Sequence, residues 1–218
     1  MDRMITIRGI GKLSVKPDMI EVGLELRNRN MDYSAAMRAA SEQQAALRDA
    51  LSKTGFEPSE LKTSAFNVRT EYEGVHDERG MYRQVFAGYV CEHTMAIRFG
   101  FDTDMLSTVL TAISDSIAEP GISVRFTVRD RESISDALLA SAAENALKRA
   151  ELLAQSSGVK LGRLISIEHT WNDPDFVSPT VYSSNAKLSM RCDAAVEMQV
   201  SPENMELTEY ATFVWEIV

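Results

Sequence analysis

A nucleophile beside a base is the first arrangement to look for, and Cys91 and His93 supply both types. They lie two apart in a run that alternates like a strand, so their side chains share one face. Within hydrogen-bond reach, such a pair would activate a thiolate. The residues on the same side, Tyr89, Met95 and Ile97, describe a core face instead. There a free cysteine behaves as a small, inert hydrophobe. The other histidines are His76 and His169. His76 falls in a polar stretch with Glu73, Asp77 and Glu78, but zinc sites need tight Cys/His spacing, and none is present. Asn172, Asp173 and Asp175 could offer oxygens to calcium, yet the ligand pattern with its central Gly and terminal Glu is missing, and Pro174 favours an ordinary turn. Gly9 and Gly11 imitate part of a phosphate loop. No helix follows directly, so they are expected to mark a bulge or a close backbone approach in a strand. No catalytic residue, cofactor site or metal site is therefore expected. An enzyme using Cys91/His93 ranks third among the functional readings.

Trp171, Phe176 and Tyr182 pose a different question. They sit in what reads as a long polar loop over 171–187, and loops of that length inside a compact domain are usually functional or disordered. Exposed, they would anchor a partner chain, where Trp and Tyr are enriched. Folded back, they would merely cover their own sheet. Both readings stay open at this point.

The formal charge is −9, with Asp and Glu outnumbering Lys and Arg 32 to 23. Nucleic acids are bound by neutralising phosphates, so an acidic chain with no basic stripe argues against a nucleic-acid partner. Apolar residues at 44% and charged residues at 25% describe an ordinary globular chain. The two cysteines, Cys91 and Cys192, exclude a disulfide framework, although one bridge is conceivable. The start, MDRMITIRGIGK, shows no export signal, and no apolar run is long enough to span a membrane. The expected compartment is the cytoplasm.

The elements follow from periodicity. Met4 to Leu26 carries two alternating runs split by Lys16-Pro17-Asp18, a hairpin or two sequential strands. Asp32 caps a core-facing helix with Tyr33, Met37, Ala40, Leu47 and Leu51 at helical spacing, ended by Gly55. Strands are predicted over Leu61 to Glu73 and Tyr82 to Phe99, a shorter helix after Asp102, and a strand over Ile122 to Val128. The longest helical signal runs from Arg131 to Ser157, capped by Asp130 or Ser133 and stopped by Gly158. Its apolar face includes Leu138, Ala142, Ala146, Leu147, Ala150 and Leu153. Strands are expected again over Arg163 to His169, Met190 to Val200 and Glu209 to Val218. Three strand–helix–strand stretches thus predict an α+β fold: mixed β-sheets with helices packed on one face. The expectation is a single domain over 1–218, with two lobes as a variant in which strands from both halves combine.

The order of these features resembles the SIMPL-domain family. The resemblance rests on Ile7-Arg8-Gly9-Ile10-Gly11 followed by Pro17-Asp18, and on Leu61-Lys62-Thr63-Ser64 and Tyr89. Val124-Arg125-Phe126 and the block Ala142-Ala143-Glu144-Asn145-Ala146-Leu147-Lys148-Arg149-Ala150 complete it, with Leu153-Ala154, Gly158 and Leu161-Gly162. It implies a bacterial protein of unknown molecular function, with mostly periplasmic or envelope relatives, ring-like homo-oligomers among them, and an association with stress defence. It implies no catalytic residues. The leading functional reading is a non-catalytic interaction module acting as a homo-oligomer. The long Ala-faced helix, the aromatic loop and the terminal strands exceed what one small core consumes. A small-ligand-binding domain of unknown ligand is the alternative.

Overall fold

The computed structural model describes residues 3–76, 80–170, 174–184 and 200–218. The chain divides into two compact units: one of Met1–Asp18, Thr127–Pro179 and Pro202–Val218, the other of Met19–Phe126 and Thr180–Ser201. Each is built on its own sheet with helices on one face.

In the first unit, β1 (Met4–Val15) pairs along its whole length with β8 (Met205–Ile217), and β6 (Leu161–Glu168) lines the other side of β8. Alternation places Ile7, Gly9 and Gly11 of β1 and Leu207, Ala211, Phe213 and Trp215 of β8 on the buried face. Across that face lies α3 (Arg131–Ser156), capped by Asp130, whose carboxylate accepts the Ser133 N–H at 2.9 Å. Gly158 takes φ +72°, and the Val159 N–H returns to the Ala154 carbonyl at 3.0 Å, which closes the helix. The helix buries Leu138, Ala142, Ala146, Ala150 and Ala154. This column is narrower than the expected apolar face, because Leu147 and Leu153 stand exposed.

Alanines suffice because Gly9 and Gly11 leave the strand beneath bare at the closest contact. A Cβ on Gly9 would lie 2.1 Å from the Ala142 carbonyl oxygen, and one on Gly11 2.0 Å from that of Leu138. Helix and strand meet backbone to backbone, the close approach expected of these glycines. Asn145 Oδ1 accepts the Ile10 N–H at 3.1 Å, so the helix also closes part of the open side of this edge strand.

The second unit carries the order β3-β4-β2-β5-β7. Its strands are β2 (Met19–Asn30), β3 (Lys62–His76), β4 (Tyr82–Gly100), β5 (Gly121–Thr127) and β7 (Val177–Ser184). Ile20, Val22, Leu24 and Leu26 of β2, Met95 and Ile97 of β4, and Val124 and Phe126 of β5 face α1 (Tyr33–Ser52) and α2 (Thr103–Ser114). Those helices contribute Leu47, Leu51, Leu106, Val109 and Ile113 to the core. Asp32 and Asp102 cap them through the Ala35 N–H and the Asp104 and Met105 N–H groups.

The α+β class is as expected, but both sheets are antiparallel rather than mixed. The strand–helix–strand unit β2-α1-β3 does bring two strands of the same sense into one sheet, and β4 then inserts antiparallel between them. A crossover helix sets the sense of its two strands, not their adjacency. The stretch β5-α3-β6 joins two different sheets, as does β1-β2, which is therefore no hairpin. The stretch read as a loop over 171–187 holds a strand, β7, and residues 190–199 of another expected strand lie outside the described residues.

Gly11→Ala should therefore lower stability by about 2 kcal/mol or more, the cost of overpacking where backbone has to move. Gly55→Ala, which meets nothing within 4 Å but sits at φ +97°, should show only its backbone strain of about 1 kcal/mol. Urea denaturation of both variants measures the difference.

Candidate functional site

Cys91 and His93 do share the buried face of β4. Cys91 is free and fully buried, with Asn28 and Val68 as its cross-strand neighbours. His93 is 5% exposed, its Nε2 within 2.8 Å of Thr63 Oγ1 and its ring edge-on to Phe66 at 5.2 Å. Burial, and then the nearby Glu92 carboxylate, pushes the Cys91 thiol up. Burial, and then Arg48, holds His93 below the ordinary imidazole range. Both directions oppose the thiolate–imidazolium pair that nucleophilic catalysis needs. Cys192 lies outside the described residues.

The aromatic trio separates. Phe176 is buried at 3% with Val128, Leu138, Met205 and Leu207, and Thr127 Oγ1 donates to its carbonyl oxygen at 2.6 Å. For this residue the fold-back reading holds, and it is no exposed anchor. Tyr182 stands 38% exposed on β7 rather than in a loop. Trp171 lies outside the described residues, as do Asn172, Asp173, Asp77 and Glu78. Among the described residues no group of His, Cys, Asp and Glu is arranged to hold a metal ion. The C-terminal ends of α1 and α2 form a shallow groove of about 450 Å³ lined by Asp49, Lys53, Ala112, Asp115 and Ile117. Lys53 Nζ already holds Asp49 Oδ2 at 2.6 Å and the Ser116 hydroxyl donates to the Ile113 carbonyl at 2.7 Å, which leaves the groove few polar groups to fix a ligand.

The feature that stands apart is the β3–β4 hairpin. β2 pairs with β4 only as far as Asn30 opposite Tyr89. Beyond that point β3 from Glu71 and β4 up to Gly88 pair only with each other, to His76 opposite Tyr82. At about 3.3 Å per residue the two-stranded arm reaches roughly 20 Å past the sheet. One face is an aromatic ladder. Tyr33 meets Tyr89 at 5.6 Å, Tyr89 meets Phe86 at 5.3 Å, and Phe86 meets Tyr72 at 5.8 Å. Further out, Tyr82 lies over Gly74, where a Cβ would come within 2.4 Å of the ring, and meets His76 at 5.7 Å. Such edge-on pairs each add about 0.5–1.5 kcal/mol beyond area burial.

The opposite face is charged. Arg27 reaches Glu71 at 2.6 Å, Arg29 bridges Glu71 and Glu73, and Arg69 holds Glu92 at 2.9 Å. Hydrogen bonding from Arg69 keeps the Glu92 carboxyl below the usual carboxylate range. These pairs are largely exposed and individually worth little. They make this a solvated face, and leave the aromatic one as the candidate contact. Tyr72, Met81 and Tyr82 are 55%, 69% and 63% exposed. Sequence reasoning passed over them. The available signal was length: the alternating run of β4 outlasts that of β2, so part of the hairpin has no third strand.

The SIMPL family model, described as a protein of unknown function (DUF541), matches residues 5–215. The chain belongs to the SIMPL family. It is 24% identical over 173 residues to the 26 kDa periplasmic immunogenic protein of Brucella melitensis, spanning 78% of this chain and 68% of that protein. The protein of that name from Brucella abortus is 23% identical over the same extent. An uncharacterized protein YggE of Edwardsiella ictaluri is 24% identical over 165 residues, 76% of this chain and 67% of the relative. Two of these names place the relatives in the periplasm, not in the compartment expected for this chain. No helix among the described residues is long and apolar enough to cross a membrane.

The burial of His93 has a pH consequence. A histidine held below its ordinary value when folded takes up its proton more readily unfolded, so its burial is tolerated fully above about pH 6.5. Stability should fall as pH drops through that value. His93→Gln should flatten the slope between pH 7.5 and 5.5, read from urea midpoints; an unchanged slope would show that other groups carry it.

Proposed function

We propose that this SIMPL-family chain is a non-catalytic interaction module that assembles with copies of itself through the β3–β4 arm. One observation carries the reading: a two-stranded ribbon that leaves its sheet at Asn30 and exposes Tyr72, Met81 and Tyr82 along or beside one face. An isolated two-stranded hairpin is marginal in water and usually needs a third strand or a packed face. The aromatic ladder supplies part of that support, and a partner on the exposed side supplies the rest. Large exposed aromatic side chains on a projecting element are also what interface anchors are made of. The raised Cys91 thiol and lowered His93 support the non-catalytic half of the reading.

Light scattering on the intact chain tests the assembly. The mass expected at ~100 µM is above that of one chain, and Met81→Ser with Tyr82→Ser should weaken association by about tenfold or more, the effect of losing large exposed anchors from the arm. A strict monomer at that concentration would sink the reading.

A further inference from the structure

We propose that β3 is the edge at which two copies join, antiparallel and symmetric about Thr70; this rests on the self-assembly reading above and names its contact. Besides charged side chains, unpaired strand edges are guarded by covering groups, bulges or proline. Three of the four sheet edges among the described residues are guarded in these ways. On β1, Asn145 of α3 takes the Ile10 N–H. On β6, the register against β8 shifts twice, between Leu161 and Leu164 and between Leu164 and Ser166. On β7, Pro179 removes a donor.

Among the described residues β3 has, from Ala65 on, only the charges of Arg69, Glu71 and Glu73 to guard it. Its own bulge lies at the start, between Thr63 and Ala65. The second register shift, at Glu71 and Tyr72, skips Ala87, so the extra residue is on β4 and β3 itself runs regularly from Ala65 to His76. That stretch contains no proline, and all of it is exposed except Val68 and Glu71, which are half-buried.

The side chains then select the partner and the register. A two-fold axis normal to the sheet reverses the strand, keeps every side chain on its face, and centres on one residue. Centred on Thr70, Arg69 of each copy faces Glu71 of the other, and like charges face each other nowhere along β3. Centring on Arg69 sets that arginine against itself, on Glu71 that glutamate against itself, and on Tyr72 Glu71 against Glu73. On the aromatic face the Thr70 register gives Thr against Thr, Val68 against Tyr72, and Phe66 beside Gly74, over which Tyr82 already lies. These are the cross-strand combinations that stabilise antiparallel pairs. Phe66 and Tyr72, 49% and 55% exposed in the single chain, gain cover. The occupant that fits this edge is thus a second copy of the chain.

The test is a cysteine scan of β3 in a Cys192→Ser chain, followed by oxidation and a non-reducing gel. Thr70→Cys brings its two thiols opposite each other and should cross-link at least about tenfold faster than Ala65→Cys or Tyr72→Cys, whose positions fall far from their own mates. In parallel, Arg69→Glu should weaken association by about tenfold, and the double variant R69E/E71R should recover most of it. The double variant keeps both reversed charges facing repulsive neighbours within its own chain, so recovery reads the contact between copies. If the unaltered chain assembles but Thr70→Cys cross-links no faster than its neighbours, or the double variant stays as weak as the single, the β3 pairing is overturned and self-assembly stands. If the unaltered chain is monomeric at ~100 µM, both fall.

Discussion

The end of β2 at Asn30 governs what the second unit can do. Asn30 Oδ1 accepts the Asp32 N–H at 2.9 Å, and Asp32 in turn accepts the Ala35 N–H at 2.8 Å. The chain is therefore committed to α1 directly after the strand. Opposite this exit Gly88 takes φ +131°, and a Cβ there would meet the Asn30 carbonyl oxygen at 2.7 Å. A glycine is needed on both counts. Past this corner β4 and β3 have no third strand. A ribbon that meets α1 at its root, through Tyr33 against Tyr89, and is largely bare beyond follows from that one termination.

A second constraint organises the first unit: helix α3 and strand β1 touch through backbone. Dispersion and burial gain most when surfaces approach closely, and only Gly facing Ala permits it here. The same glycines that imitate a phosphate loop in the sequence are spent on packing. Polar groups follow a similar rule, since every fully buried side-chain nitrogen or oxygen among the described residues has a hydrogen-bond partner. The buried His93 finds its partner in the Thr63 hydroxyl, as buried polar groups do.

Much of the fold was legible in the residues because the information was local. Asp32, Asp102 and Asp130 cap the helices that their positions announce, and Gly55 and Gly158 adopt the left-handed turns that end two of them. The alternation of β4 placed Cys91 and His93 on a core face, where they lie. Less was legible of the candidate contact. Phe176 looked like Tyr182 in sequence, and the two differ only in which elements pass over them.

What the sequence by itself determined is where the three helices and most of the strands lie, the alternation that sets their faces, and the family. Capping, chain reversal and periodicity act over a few residues and need no distant partner. Tertiary structure alone decided that β4 inserts between β2 and β3, that Leu147 and Leu153 stay exposed while four alanines are buried, and that β3 lies at the edge of its sheet. Each of these depends on which surface arrives from far along the chain. Strand order and exposure are properties of pairs of elements, and no single stretch of residues encodes them.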